Sequence, residues 1–141
     1  MSEEPVISEE LQSLLNVEFG PEVYEIERGM VGKFAEAIGD PNPLWRQVAP
    51  PTFLAALVPT ELWHKMTTAK CPLTRFLNGG NELEYYQPIR VGDVISVTAR
   101  LDKLRKMEGE EGTTLFMIMG VTYKNRKGGV VARGKNTYIR Y

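Results

Sequence analysis

The residues best able to do chemistry fall in one short stretch, Gly39-Asp40-Pro41-Asn42-Pro43-Leu44-Trp45. Asp40 could act as a general acid or base. A carboxylate in a proline-rich turn also has a purely structural use, accepting backbone N–H groups, and the residues alone leave both uses open. His64 is the single histidine. It follows Trp63 near the far end of a helical stretch, distant from Asp40 in the chain, and reads as a partly exposed helix-end residue. Cys71, the single cysteine, stands beside Pro72 with no activating neighbour, so it does not read as a reactive thiol. Alone it forms neither an intramolecular disulfide nor a metal site. No glycine-rich phosphate loop and no cluster of metal ligands is present, and one histidine does not credibly complete a Ser-His-Asp set.

These residues need a frame, and the chain is long enough for one. Its 141 residues, 43% hydrophobic and 25% charged, suit a single domain with a sizeable core. We read residues 1–141 as one domain, with 1–20 a helical N-terminal extension. The formal net charge of −1 gives no basic excess for nucleic acid or an anionic membrane. Met1-Ser2-Glu3-Glu4 is acidic and lacks an apolar signal core, and the longest apolar run, Phe53 to Val58, is too short to span a bilayer. With one cysteine and no leader, a reducing cytoplasm is the expected location.

Ser8 reads as the N-cap of a short helix carrying Leu11, Leu14 and Leu15, which Phe19-Gly20-Pro21 breaks. Val23 to Glu27 reads as a strand. Met30, Phe34, Ala37 and Ile38, widened by Val31 and Ala35, give a helix face that Gly39 ends. Asp40 to Pro43 is a loop, because proline restricts itself and the residue before it. Thr52 to Val58 reads as a buried helix beginning at Thr52, kinked or ended by Pro59, with Glu61 to Met66 adding a turn or two and Thr67 to Pro72 a loop. Four strands follow. Glu82 to Tyr86 puts Leu83 and Tyr85 on one face, and Gln87-Pro88 to Gly92-Asp93 turns the chain. Val94 to Leu101 puts Ile95, Val97, Ala99 and Leu101 on one face. A charged loop at Glu108 to Gly112 precedes Thr114 to Tyr123, apolar on both faces as a central strand is. A turn at Asn125 to Gly129 leads into Val130 to Tyr141, with Gly134 a candidate bulge. An antiparallel sheet wrapped around the apolar helix would bury it.

At this point three segments carry a resemblance. Phe34 to Pro43 resembles the signature of MaoC-like (R)-specific enoyl-CoA hydratases. Ala49-Pro50-Pro51-Thr52-Phe53 resembles the entry to their central helix. Tyr85-Tyr86-Gln87-Pro88-Ile89-Arg90-Val91-Gly92-Asp93 resembles the strand and turn that follow, a P-x-x-x-G-D pattern. Together they cover most of the chain from about residue 20 onward, and the N-terminal MaoC-like dehydratase domain is the type most resembled. The resemblance implies an α+β hotdog fold, a curved antiparallel sheet around a central helix, with no cofactor and an acyl-CoA thioester as ligand.

In catalytic members the signature runs Gly-Asp-x-Asn-Pro-x-His, and the Asp and His flank a water and the α/β carbons of an enoyl thioester. Asp40 and Asn42 match; the His place is Trp45, an indole without a proton that titrates near neutral pH. By the same resemblance Trp45 and Phe53 could wall an acyl pocket or simply pack in the core. The first amides past Pro50-Pro51, at Thr52 and Phe53, could meet a thioester carbonyl. Lys103, Arg105 and Lys106, or Lys124, Arg126 and Lys127, placed in hairpin loops, could meet CoA phosphates or be merely solvated. The segment from Pro43 to Ala49 is shorter than is usual over such a site, implying an open or partner-covered mouth.

The leading expectation is a subunit of an enoyl-CoA hydratase/dehydratase. It would supply the dimer interface and part of an acyl tunnel, while a second MaoC-like chain brings Asp and His. The alternatives are an autonomous hotdog hydratase or thioesterase and a non-enzymatic acyl-CoA-binding or assembly protein, and the alternative to a second MaoC-like chain as partner is a homodimer. For a thioesterase the one carboxylate available on the central helix, Glu61, comes after Pro59, a poor placement.

Overall fold

The computed structural model describes residues 5–141, so the acidic Met1 to Glu4 stretch lies outside the described residues. In chain order the elements are α1 (Glu9–Leu14), β1 (Phe19–Glu25), α2 (Arg28–Ala37), two 3-10 turns (Pro43–Arg46 and Phe53–Ala56), α3 (Thr60–Thr68), β2 (Phe76–Tyr85), β3 (Val94–Gly109), β4 (Gly112–Lys124) and β5 (Val130–Arg140). The strands form one antiparallel sheet in the order β1-β3-β4-β5-β2. Helices and 3-10 turns pack on its inner face, the hotdog arrangement the resemblance implies.

The period-two pattern of β3 is real. Ile95, Val97, Ala99 and Leu101 are at most 3% exposed, and they share an inner face with Leu115, Met117, Met119, Val121 and Tyr123 of β4. The second apolar row of β4, Phe116 and Ile118, is only half-buried, so the strand is central in order yet packed hard on one side. Ser8 caps α1 as expected, its Oγ accepting the Leu11 N–H at 3.3 Å. On α2 the buried pair is Val31 and Ala35, with Met30 and Phe34 flanking the core and Ile38 left 48% exposed.

The expected helix from Thr52 is not one continuous helix. Residues Phe53–Ala56 make only a 3-10 turn, Leu57 is already extended at φ −100° and ψ 95°, and the longer helix starts afresh at Thr60. Pro59 accounts for this: it disfavours helical backbone at Val58 and cannot donate to a carbonyl one turn back, leaving a run too short for an α-helix. Phe53, Leu54 and Leu57 are buried, but Ala56 is exposed, so the turn is not covered on every side. Helix α3 runs through Thr68, into what reads in sequence as loop.

Other boundaries move for tertiary reasons. β1 begins at Phe19, and the Gly20-Pro21 step is absorbed by a register shift opposite β3. β2 begins at Phe76, because Asn78-Gly79-Gly80-Asn81, a turn by composition, is held by its ladder to β5. The charged segment at Glu108 to Gly112 is no loop: Gly109 pairs with Gly112, leaving a tight hairpin at Glu110-Glu111. Hence Lys103, Arg105 and Lys106 lie on β3, not in a loop. Gly134 is not a bulge. It pairs in register with Val121 and Leu83, and an added Cβ there would stand 3.2 Å from Leu83 Cδ2 and 3.5 Å from Tyr123 Cε2. Among the described residues no helix is long and apolar enough to cross a membrane.

Candidate functional site

Helix α2 closes tightly before the candidate stretch. The Ile38 N–H donates to the Phe34 carbonyl, the Gly39 N–H to Glu36 and the Asp40 N–H to Ala35, all at 3.0 Å. Gly39 takes φ +69°, the left-handed value that glycine adopts without steric cost. The chain therefore turns back over its own helix. Asp40 Oδ1 accepts the Asn42 N–H at 3.1 Å, and Asn42 Oδ1 accepts the Leu44 N–H at 3.0 Å. Asn42 is thus the cap of the first 3-10 turn, with Pro43 at its start. That turn lays Trp45 against α2.

Asp40, Asn42 and Trp45 are brought together on one open cavity of about 490 Å³, which Ala35, Glu36 and Arg46 also line. The carboxylate of Asp40 is engaged within its own turn, as the structural use of such a residue requires. Glu36 and Arg46 are additions that the sequence pattern did not single out. Both are exposed, and the Glu36 carboxylate has no partner among the described residues. The Trp45 indole N–H is buried and lacks an acceptor among the described residues. His64 does not line this cavity. It sits exposed within α3, its carbonyl accepting the Thr67 and Thr68 hydroxyls at 3.2 and 2.7 Å.

Thr52 and Phe53 are elsewhere. Phe53 is 3% exposed and packs edge-on against Phe34, ring centroids 5.4 Å apart. Its N–H donates to the Pro50 carbonyl at 2.9 Å and is therefore engaged. Thr52 is exposed and makes no side-chain cap bond. The central turn is pinned from the sheet instead. The buried Tyr123 hydroxyl donates to the Leu54 carbonyl at 2.7 Å, and Tyr85 donates to the Pro51 carbonyl. Burial pushes the Tyr85 phenol up to about 12 and raises that of Tyr123 further, so both keep their protons as donors. No sequence signal marks these tyrosines beyond their strand positions.

Helix α3 is held at both ends by side chains far away in the chain. The Glu22 carboxylate of β1 accepts the Thr60 N–H and the Thr60 hydroxyl, each at 2.7 Å, and the Tyr24 hydroxyl at 2.6 Å. Those hydrogen bonds, Tyr24 first, draw its pKa below the usual 4.5. At the other end Arg140, 6% exposed, donates to the carbonyls of Met66, Thr67 and Ala69 at 3.0, 2.6 and 3.2 Å. Carboxylate at the N-terminus and guanidinium at the C-terminus both oppose the helix dipole. Among the described residues no group of three or more His, Cys, Asp or Glu is placed to hold a metal ion.

Solved structures share this fold. The HadBC complex, a 3R-hydroxyacyl-ACP dehydratase of Mycobacterium tuberculosis, aligns with TM-score 0.72 at 14% identity over 89% of this chain and 96% of that one. A MaoC-like dehydratase aligns with TM-score 0.73 at 18% identity over 92% of this chain but only 42% of that one. These likenesses establish the hotdog fold. In sequence, a UPF0336 protein of Thermobifida fusca is 30% identical over 109 residues, covering 67% of this chain and 72% of that protein. Residues 13–133 match the family described as FAS1-like, dehydratase domain region. That match takes in β1, the Asp40 turn, the central turn and nearly the whole sheet, and on it the chain belongs to the FAS1-like dehydratase domain region family.

Proposed function

We propose that the chain is a subunit of an acyl-thioester hydratase/dehydratase, in which a second MaoC-like chain supplies the working Asp and His. The observation that carries this reading is residue 45. The family motif is kept at Asp40 and Asn42, but an indole stands in the His place, and no histidine lines the cavity. Proton transfer at two carbons of an enoyl thioester needs two positioned groups, and here the one motif carboxylate is bonded within its own turn.

The edge of the sheet supports a paired state. β2 is an outer strand of the sheet, and its residues Phe76 to Glu82 are all exposed. An open edge of this length is a template for pairing. The HadBC structure, by its own description a dehydratase complex, is consistent with assembly from paired hotdog chains. Asp40, Asn42 and Trp45 are then site positions whose work is to shape and cover the partner's chemistry, while Thr52 and Phe53 stand apart from that cavity.

The test is crotonyl-CoA hydration followed by absorbance. The chain alone should show no turnover above background, and adding a MaoC-like chain with an intact Asp-x-Asn-Pro-x-His motif should restore it. In that complex Asp40→Asn should change the rate less than about twofold, whereas the matching change in the partner should cost about 10²–10⁴-fold. Robust turnover by the lone chain, lost in Asp40→Asn, would make this an enzyme in its own right and end the subunit reading.

A further inference from the structure

A second polar grouping lies on the inner face of the edge strand, away from the Asp40 turn. In β2, Asn78 pairs with Tyr138, Gly80 with Thr137 and Asn81 with Asn136, so Gly79 is the extra residue of a bulge. Residues three apart in a regular strand face opposite sides. The bulge puts Asn78 and Asn81 in reach of one another and of β5. A side chain at position 79 would place its Cβ 2.6 Å from Ile139 Cδ1, so glycine suits this crossing.

The four polar side chains form a relay with one direction. Asn78 Nδ2 donates to Asn81 Oδ1 at 2.8 Å, Asn81 Nδ2 to Asn136 Oδ1 at 2.8 Å, and Asn136 Nδ2 to the Tyr138 hydroxyl at 3.2 Å. Asn136 is fully buried and Tyr138 is 4% exposed. A buried amide is costly unless bonded, and here bonding is continuous until the last member. The Tyr138 hydroxyl accepts from Asn136, and its own proton has no acceptor among the described residues. Each amide in such a series polarises the next, which strengthens the terminal donor. Burial raises the phenol pKa, so the proton stays on.

Tyr138 also lines a cleft of about 340 Å³ between the central turn, α3 and β2, within the roughly 300–1,000 Å³ range of small-ligand sites. Trp63 and Phe76, each 36% exposed, are its outer aromatic wall. Their ring centroids lie 5.1 and 5.7 Å from that of Tyr138. Ala55, Ala56 and Val58 narrow it; Tyr24, Thr60 and Asn78 also line it, but their side chains are already bonded to Glu22 and Asn81, and no Asp, Glu, Lys or Arg lines it. An extended peptide would bring several backbone donors and acceptors that this wall does not match, and a charged group would be desolvated without a partner. A neutral, slender apolar chain fits, and Tyr138, a buried member of the lining, is the phenol there with a proton left to donate.

We infer that this cleft is an acyl subsite in which Tyr138 donates a hydrogen bond to an oxygen near the distal end of the chain. Tyr138 is then a specificity-determining residue that favours oxygenated acyl thioesters over saturated ones. The inference rests on the acyl-thioester reading, but it involves neither Asp40 nor Trp45 and is measured by binding rather than turnover.

Quenching of Trp63 fluorescence in the purified full chain, titrated with octanoyl-CoA, ω-hydroxyoctanoyl-CoA and CoA alone, tests it. Both acyl ligands should quench, with the hydroxylated one binding about tenfold tighter, the worth of one buried hydrogen bond. CoA alone should not quench, and Trp63→Phe should lose the signal. Tyr138→Phe keeps the ring and should keep octanoyl-CoA affinity while erasing the preference. Asn81→Ala, which cuts the relay from the outside, should reduce the preference to about fivefold. Equal affinities in the unmodified chain, a preference surviving Tyr138→Phe, absence of quenching by either acyl ligand, or equal quenching by CoA alone would each overturn it. Lone-chain turnover lost in Asp40→Asn would overturn the subunit reading and leave these affinities as they are.

Discussion

The Asp40 turn and the Asn78–Tyr138 relay are both polar, and they are built on opposite plans. In the turn each side-chain bond reaches two residues along the chain, Asn42 N–H to Asp40 and Leu44 N–H to Asn42. In the relay the decisive bond joins Asn81 to Asn136, 55 residues apart. Local bonds of the first kind form wherever the turn forms and ask little of the rest of the fold. The second kind exists only when β2 and β5 are paired in one register with one bulge. The same plan holds α3, whose ends rest on Glu22 and Arg140, 38 and 71–74 residues from the groups they bind. The family motif therefore sits on the cheapest structure in the molecule, and the long-range bonds carry the frame around the cleft.

That contrast predicts unequal costs, and Arg140 should show the largest. Arg140→Met keeps a long apolar stem but withdraws three donors from the last carbonyls of α3. Hydrogen bonds from a charged donor contribute about 1.5–3 kcal/mol each, and not additively. A loss of about 3 kcal/mol is expected, close to a 10 °C drop in Tm for a chain of this size. Thermal unfolding by circular dichroism measures it. A drop below about 2 °C would mean that these carbonyls are equally well served by water, and the long-range plan would lose its main support.

Glu22 should cost less and depend on pH. Its folded pKa is depressed, so its stabilisation is fully present above the ordinary value near 4.5 and is lost as pH falls through the folded value. Glu22→Gln leaves an amide that accepts fewer of the three bonds offered by Thr60 and Tyr24. At pH 7 the variant should be less stable by about 1 kcal/mol, the usual worth of a helix N-cap. As pH falls below 4.5 and through the folded value the gap should narrow and then close, because protonated Glu22 and Gln are near equivalents. Denaturant unfolding at pH 7 and pH 3.5 checks this, and a gap independent of pH would show that packing, not charge, is what Glu22 supplies.

What was legible in the sequence follows the same division. The capped α1, the buried face of β3, the glycine stop of α2 and the Gly92-Asp93 turn rest on neighbours within four residues. In that last turn Asp93 Oδ2 accepts the Arg90 N–H at 2.8 Å. All four could be read from spacing. The split of the central helix at Pro59 was half legible: the proline was visible, but not that a 3-10 turn would be all that remained before it. The early start of β2 was illegible, because Asn-Gly-Gly-Asn has turn composition and only the β5 ladder makes it a strand. At the site, Asp40, Asn42 and Trp45 were found because the motif is contiguous. Glu36, Arg46 and the Tyr85 and Tyr123 anchors were missed, since nothing near them in sequence distinguishes them.

The smallest effect should come from the motif itself. Asn42→Ala removes the cap of a four-residue 3-10 turn whose residues are exposed or half-buried. Helix caps are worth about 0.5–2 kcal/mol, and a turn this short and wet belongs at the bottom of that range. Asp40→Asn should cost less still, because the amide oxygen can accept the Asn42 N–H in place of the carboxylate. Both variants should unfold within about 0.5 kcal/mol of the unmodified chain at pH 7. The comparison with Arg140→Met matters more than either value alone. If Asp40→Asn proved as costly as Arg140→Met, Asp40 would have to be bonded to more than its own turn. The cavity lined by Asp40, Asn42 and Trp45 would then be a fixed, load-sharing part of the frame, and a change of rate on mutating it would no longer report on chemistry. If the two differ by the expected margin, Asp40 and Asn42 can be changed freely, and any effect they have on turnover in a paired complex belongs to the site.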